Sequence, residues 1–205
     1  GAAEAILKSL RYDVDDKGVL LRDKPLVSGY KAQLVANPAA GIKSIADLKG
    51  KKIAIASFTS TSGFVWPANL LADFKLDPEK DVTWVNVGGH DNAILAVYNN
   101  QVDAAFTFKD ARTLFSKEAF FADLMAKVVL VSNTTDIPND TISVIPNLDP
   151  VLKERIRLAF INMVKKPEGL LIMQKIYNHE GYAPAKDSDY DLVRTYLARQ
   201  KQWKF

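Results

Sequence analysis

Lys52-Ile53-Ala54-Ile55-Ala56 runs directly into Ser57-Phe58-Thr59-Ser60-Thr61-Ser62-Gly63, and the nature of that join decides how the whole chain reads. Residues 52–56 form a short apolar run bounded by turn residues, the pattern of a buried strand. The following segment, 62–75, carries Leu70, Leu71 and Phe74 at helical spacing. Hydroxyl side chains are therefore gathered where a strand ends and a helix begins. The first N–H groups of a helix have no internal partner, and the helix dipole there favours negative charge. With hydroxyl donors added, the turn suits a tetrahedral oxyanion such as phosphate or phosphonate. The cluster contains no Lys or Arg, so recognition would use neutral donors, as expected of a binding protein that must release its anion. The competing reading is an ordinary N-cap in a Ser/Thr-rich turn.

Working outward, strands and helices alternate. Strand 82–87 precedes a helix over 91–99, with Ile94, Val97 and Tyr98 on one face. Strand 103–107 precedes a short helix near 110–116. Upstream, Tyr30 to Ala36 alternates as a strand, Asn37-Pro38 breaks it, and Ser44 with Asp47 has capping-box spacing for a one-turn helix ended by Gly50. Such alternation predicts βαβ units, a parallel sheet and helices on its faces. Ligands in sheets of this kind gather at the carboxyl ends of strands. The Ser/Thr turn sits at one such end, and Gly88-Gly89-His90-Asp91 at the next.

Residues 127–132 read as a further strand, Asp136-Ile137-Pro138-Asn139-Asp140 as a turn, and 141–145 as another strand. From Asp149 the pattern is helical only. Asp149 caps, Pro150 opens the first helix, Pro167 opens a second through Tyr177, Gly181-Tyr182-Ala183-Pro184 ends it, and a last helix runs from Ser188 to about Arg199.

The chain has 205 residues, enough for one large domain or two small lobes. A hydrophobic content of 48% with 25% charged residues is globular composition, and the net charge of +3 is scattered, which argues against nucleic acid as a partner. The absence of cysteine removes disulfides, thiolate metal sites and cysteine nucleophiles. The Gly1 start suggests a processed or trimmed chain.

Few other residues invite a chemical role. His90 follows two glycines and can donate to an anion at a helix start; alternatively it is a solvent-facing neighbour of a capping Asp91. Tyr30, at a strand start, is either half-buried packing or a hydroxyl donor to a pocket. Asp110 and Asp140 are lone carboxylates after strands or turns, readable as a cap and a turn residue or as acceptors for a cationic group. Enzymatic signatures are missing: no Gly-x-Ser-x-Gly elbow, no P-loop, no Gly-x-Gly-x-x-Gly, and two histidines without metal-ligand spacing, His179 being expected in an exposed helix end.

These segments together resemble a known family. Gly29-Tyr30 with Leu34-Val35, Asp47-Leu48-Lys49-Gly50-Lys51-Lys52-Ile53, Ser60-Thr61-Ser62-Gly63-Phe64 with Pro67, Gly89-His90-Asp91 with Leu95-Ala96-Val97, Val102-Asp103-Ala104-Ala105, Ile137-Pro138-Asn139-Asp140 and Gly181-Tyr182-Ala183-Pro184 stand in the order and spacing of the phosphonate/phosphite/phosphate-binding proteins of bacterial ABC importers. The resemblance covers nearly the whole chain from Tyr30. It implies an α/β, type II periplasmic-binding fold: two lobes joined by hinge strands, with the ligand clamped between them. Residues 1–36 would be a remnant of the first lobe with the first hinge strand. Residues 37–132 would be the second lobe with the anion turn, and 133–205 the return hinge and C-terminal helices of the first lobe. Only 29 residues precede Tyr30, so the first lobe is expected to be incomplete and to leave apolar surface that invites dimerisation.

The resemblance also implies roles. Ser60, Thr61, Ser62, His90 and Tyr30 would hold the oxyanion, and Asp110 and Asp140 would meet the amine of an aminoalkylphosphonate. An amine-binding member carries Glu where this chain has the shorter Asp110, so a small unsubstituted oxyanion stays open as the alternative. The expected function is solute capture for an ABC importer, without enzymatic activity, cofactor or metal. The expected partners are a phosphorus oxyanion and a membrane permease. The expected location is the periplasm or cell exterior, lipid-anchored in a Gram-positive source. A sensor input domain and an enzyme on the same lobed fold are the competing expectations.

Overall fold

The computed structural model describes residues 3–115 and 118–205. The strands are β1 (Glu4–Leu10), β2 (Gly29–Ala36), β3 (Lys52–Ile55), β4 (Thr83–Asn86), β5 (Ala104–Phe108), β6 (Val129–Pro138), β7 (Thr141–Val144) and β8 (Gly181–Pro184). The α-helices are α1 (Trp66–Asp73), α2 (His90–Tyr98), α3 (Leu124–Lys127), α4 (Pro150–Met163), α5 (Pro167–Tyr177) and α6 (Asp191–Gln200). The chain divides into two compact units: residues 1–13, 20–30 and 138–193 form the first, and residues 14–19, 31–137 and 194–205 the second. The chain passes from one to the other within β2, β6 and α6.

The second unit carries a five-stranded sheet in the order β4-β3-β5-β2-β6. Strand β3 is parallel to β4 and β5, as the alternation predicts, but β2 runs antiparallel to β5. The alternation of side chains along each strand splits the core into two layers. Leu34, Ile53, Ala104 and Phe106 face Leu71 of α1 and Ile45 and Leu48 of a short 3-10 turn. Val35, Ala54 and Ala105 face Ala93, Ile94 and Val97 of α2. Burial of a side chain such as Leu71, fully out of solvent, stabilises the unit by about 1.5–3 kcal/mol. Helices thus cover both faces, and the ends of β3 and β4 are left to carry the site.

The first unit holds a three-stranded antiparallel sheet in the order β7-β1-β8, whose Ile6, Leu7 and Tyr182 share a core with Ile156 and Phe160 of α4 and Met173 of α5. Here the structure corrects the sequence reading. Gly181–Pro184 is not a helix stop but strand β8, because Leu10 to Leu7 offer an edge that pairs with it. A four-residue strand has no periodicity long enough to register against the surrounding helices. Likewise β6 continues through Pro138, so the turn shrinks to Asn139 and Asp140. The predicted helix near 110–116 is a 3-10 segment over Ala111–Phe115, and Ser116 lies outside the described residues.

The C-terminal end also departs from the predicted division. Residues 194–205 group with the second unit, not the first. Tyr196 packs edge-on against Trp66, Arg199 Nη1 donates to Asp73 at 2.7 Å, and Gln200 Nε2 donates to the Phe58 carbonyl at 3.1 Å. The short segment 14–19 does the same: Asp15 accepts from the amides of Lys17 and Val19, and the resulting turn lies against Asp110 and Thr113. Gly18 permits that approach, with φ +78° and space so tight that an added Cβ would stand 2.0 Å from Thr113 Cγ2.

Candidate functional site

The turn after β3 does not enter α1 directly. Residues Thr61–Val65 form a wide π-turn that leads into Trp66 and Pro67. Val65 N–H reaches back to the Ser60 carbonyl at 3.0 Å, and Trp66 N–H to the Thr61 carbonyl. Pro67 lacks an N–H and its ring crowds the carbonyl one turn earlier, which a widened turn accommodates. Ser60 is the N-cap: its Oγ accepts from Gly63 N–H at 3.0 Å. Gly63 is required for this contact, since a Cβ there would stand 2.8 Å from Ser60 Oγ.

The same Ser60 Oγ lies 3.3 Å from His90 Nε2, at the first position of α2. The structure thus brings together two of the predicted residues from successive strand ends. The capping reading of Ser60 is also realised: one hydroxyl serves both. Ser62 is buried and Thr61 half-buried in the π-turn, where the leading N–H groups of the helix face outward. His90 packs edge-on against Phe108, ring centroids 5.0 Å apart, and its Nδ1 is buried without a hydrogen-bond partner among the described residues. Burial holds its pKa below the usual histidine value, opposed by neighbouring Asp91. A neutral imidazole results, so the turn is a cradle of uncharged donors. Gly89, not Asp91, is the N-cap of α2.

Asp110 belongs to the same unit but is 1% exposed. It sits in the left-handed region at φ +58°, and its N–H donates to Gln33 Oε1 at 2.7 Å. Its carboxylate takes Arg112 Nε at 3.0 Å. The Arg112 guanidinium also donates to the Val128 carbonyl at 3.1 Å and the Asp16 carbonyl at 2.8 Å. Burial pushes the Asp110 carboxyl above its usual value, and Arg112 only partly offsets that. No sequence signal marks Arg112, because the pairing depends on a left-handed residue that folds the chain back on itself.

In the other unit, Tyr30 stands near the start of β2 and is half-buried. Asp140 is exposed and pairs with Arg11 Nη2, and His179 Nε2 lies 3.3 Å from the same carboxylate oxygen. His179 is buried, at 3% exposure, which corrects the expectation of an exposed helix end. Asn178 takes the left-handed conformation after α5 and turns His179 inward, where its Nδ1 meets Tyr182 Oη at 3.0 Å. Burial raises the Tyr182 pKa to about 12. Among the described residues no group of His, Asp and Glu is placed to hold a metal ion, and no helix is long and apolar enough to cross a membrane.

Residues 4–190 match the family of periplasmic substrate-binding proteins of phosphonate ABC transporters, and the chain belongs to that family. It is 26% identical over 196 residues to the phosphate-import protein PhnD of Mycolicibacterium smegmatis, covering 86% of this chain and 60% of that protein. It is 27% identical over 170 residues to the phosphonates-binding periplasmic protein of Escherichia coli, covering 80% of this chain and 48% of that one. The chain therefore spans about half to three-fifths of these relatives' length. Among solved structures, PhnD1 of Prochlorococcus marinus in complex with methylphosphonate superposes with a TM-score of 0.71 at 17% identity, covering 98% of this chain and 72% of that one. A binding component of a phosphonate ABC transporter from Pseudomonas aeruginosa gives 0.69 at 21% identity, covering 98% and 63%. The fold is that of the type II periplasmic-binding proteins. The family consists of substrate-binding components of importers, not enzymes.

Proposed function

We propose that this chain captures a phosphorus oxyanion for an ABC importer, with Ser60, Thr61, Ser62 and His90 as the oxyanion donors. The observation that carries the proposal is the 3.3 Å approach of Ser60 Oγ to His90 Nε2 beside a helix start that has no cationic side chain. Neutral donors aimed at one point fit an anion that must bind and then leave. Names of the relatives support phosphate and phosphonates as the ligand class. The roles of Tyr30, Asp110 and Asp140 as ligand contacts, and docking on a membrane permease, rest on family resemblance. So does a lipid-anchored form in a Gram-positive source. Self-association has separate support: Val151, Leu171, Ile172 and Ile176 on α4 and α5 are exposed apolar side chains of the first unit.

Calorimetric titration of the purified protein with phosphate, phosphite, methylphosphonate and 2-aminoethylphosphonate tests the reading. Saturable binding of at least one, weakened by Ser60→Ala, is the expected result. Failure of all four to bind would overturn it.

A further inference from the structure

The Ser/Thr turn is held on both flanks by one distant stretch of chain, the second half of α6, and every group involved lies in the second unit. Ahead of Ser60, residues Ser57 to Ser60 form a tight turn, closed by the Ser60 amide donating to the Ser57 carbonyl at 3.2 Å. In such a turn the central peptide, here Phe58–Thr59, can face either way while the ends stay in place, and that choice separates type I from type II. Gln200 Nε2 donates to the Phe58 carbonyl at 3.1 Å and so selects one facing. The peptide unit is planar, so fixing the carbonyl also fixes the Thr59 N–H. The Phe58 ring is held as well: Phe64 meets it edge-on with centroids 4.9 Å apart, and Phe205 stacks on it at 5.9 Å. Beyond Ser62, the Nδ2 of buried Asn69 donates to the Val65 carbonyl, at the end of the π-turn, at 2.8 Å and to the Tyr196 carbonyl of α6 at 3.3 Å. Ser60, Thr61 and Ser62 lie between these two attachments.

We propose that Gln200 is a positioning residue for oxyanion capture: its bond to the Phe58 carbonyl fixes the turn that delivers Ser60 to the Gly63 amide and to His90. The proposal rests on the reading of the Ser60–Ser62 turn given above. Ser60 has extended backbone, with φ −69° and ψ 123°. From there its Oγ accepts from the Gly63 amide, and its carbonyl accepts from the amides of Phe64 and Val65. The amides at this helix start therefore depend on where Ser60 sits. A turn whose central peptide could flip would bring Ser60 to His90 only part of the time, and the fraction in the competent form sets the apparent affinity. Gln200 is itself held from both sides: Arg199 Nη1 donates to Asp73 at 2.7 Å just before it, and the Lys204 N–H donates to Glu79 Oε1 at 2.8 Å just after it.

The test uses Gln200→Met, which keeps side-chain length and helix propensity at a half-buried helix end and removes the donor. The ligand is whichever of phosphate, phosphite, methylphosphonate and 2-aminoethylphosphonate the wild type binds most tightly. Calorimetric affinity is expected to fall about fivefold, the equivalent of one neutral hydrogen bond. Hydrogen exchange, followed by NMR without ligand, is expected to quicken at the amides of Gly63, Phe64 and Val65 and to stay at its wild-type rate along β5. A residue that merely stabilised the unit would quicken both together. Unchanged affinity, unchanged exchange at those amides, or equal quickening of β5 overturns the proposal while leaving the oxyanion reading intact. A wild type that binds none of the four anions overturns that reading and the proposal with it. Gln200→Ala carries the same two measurements if Met at this position disturbs folding.

Discussion

Ser60 Oγ accepts the Gly63 amide at 3.0 Å and stands 3.3 Å from His90 Nε2, so a single hydroxyl ties the helix start after β3 to the helix start after β4. Replacing it tests structure and binding together. Ser60→Ala is expected to weaken phosphonate binding by roughly 1.5–3 kcal/mol, the range for a hydrogen bond to a charged group. It should lower unfolding stability by about 1 kcal/mol through the lost cap. Calorimetry and urea unfolding read the two effects separately. Wild-type affinity in the variant would place the anion elsewhere.

Gly63→Ala probes the same contact from the other side. The new methyl would stand 2.8 Å from Ser60 Oγ and 3.1 Å from its Cβ, and Ser60 would have to turn away. Binding should fall by about tenfold to a hundredfold, the equivalent of one lost charge-assisted hydrogen bond. Unchanged affinity would show that Ser60 can move without cost to the ligand.

Arg112→Ala leaves Asp110 buried and unpaired. Removing one partner of a buried ion pair costs about 3–5 kcal/mol, because the remaining charge has lost its compensation. Chemical denaturation should show that loss, and the double change Asp110→Asn with Arg112→Met should recover a substantial part of it. If the double variant is no better than Arg112→Ala, the bonds of Arg112 to Val128 and Asp16, rather than the ion pair, hold the unit together.

Acid should weaken both units. Burial holds His90 and His179 below the ordinary histidine value of 6.5. A histidine with a lowered folded pKa favours the folded state fully above 6.5, and that contribution is lost as pH falls toward the folded value, because the unfolded chain takes up the proton first. Asp110 has the opposite sign: its folded pKa is raised above 3.8, so its favourable contribution is present below 3.8 and is lost as pH rises through the folded value. Melting temperature is therefore expected to fall as pH drops below 6.5, with a shallower slope in His179→Gln. A flat profile through this range in the wild type would contradict buried neutral histidines.

Much of the second unit was legible in the residue order. The apolar run at 52–56, the cap at Ser44 and the glycines before His90 act over a few neighbours, as does the cap at Asp149 in the first unit, and local hydrogen bonding or periodicity sets their outcome. Family likeness then linked Ser60 to His90, thirty positions further along the chain. The antiparallel entry of β2, strand β8 and the inward turn of His179 were not legible, because each depends on an edge or cavity supplied by distant chain.

The sequence by itself determined a βαβ core with an uncharged, hydroxyl-rich turn at a helix start, since strand period, helix start and hydroxyl placement are local properties of the chain. Only the tertiary structure decided which charges remain available. Arg11 meets Asp140 from 129 residues away, and Arg112 meets Asp110 through a left-handed backbone bend packed under Gly18. Charge pairing is a matter of distance in space, and spacing along the chain does not encode it.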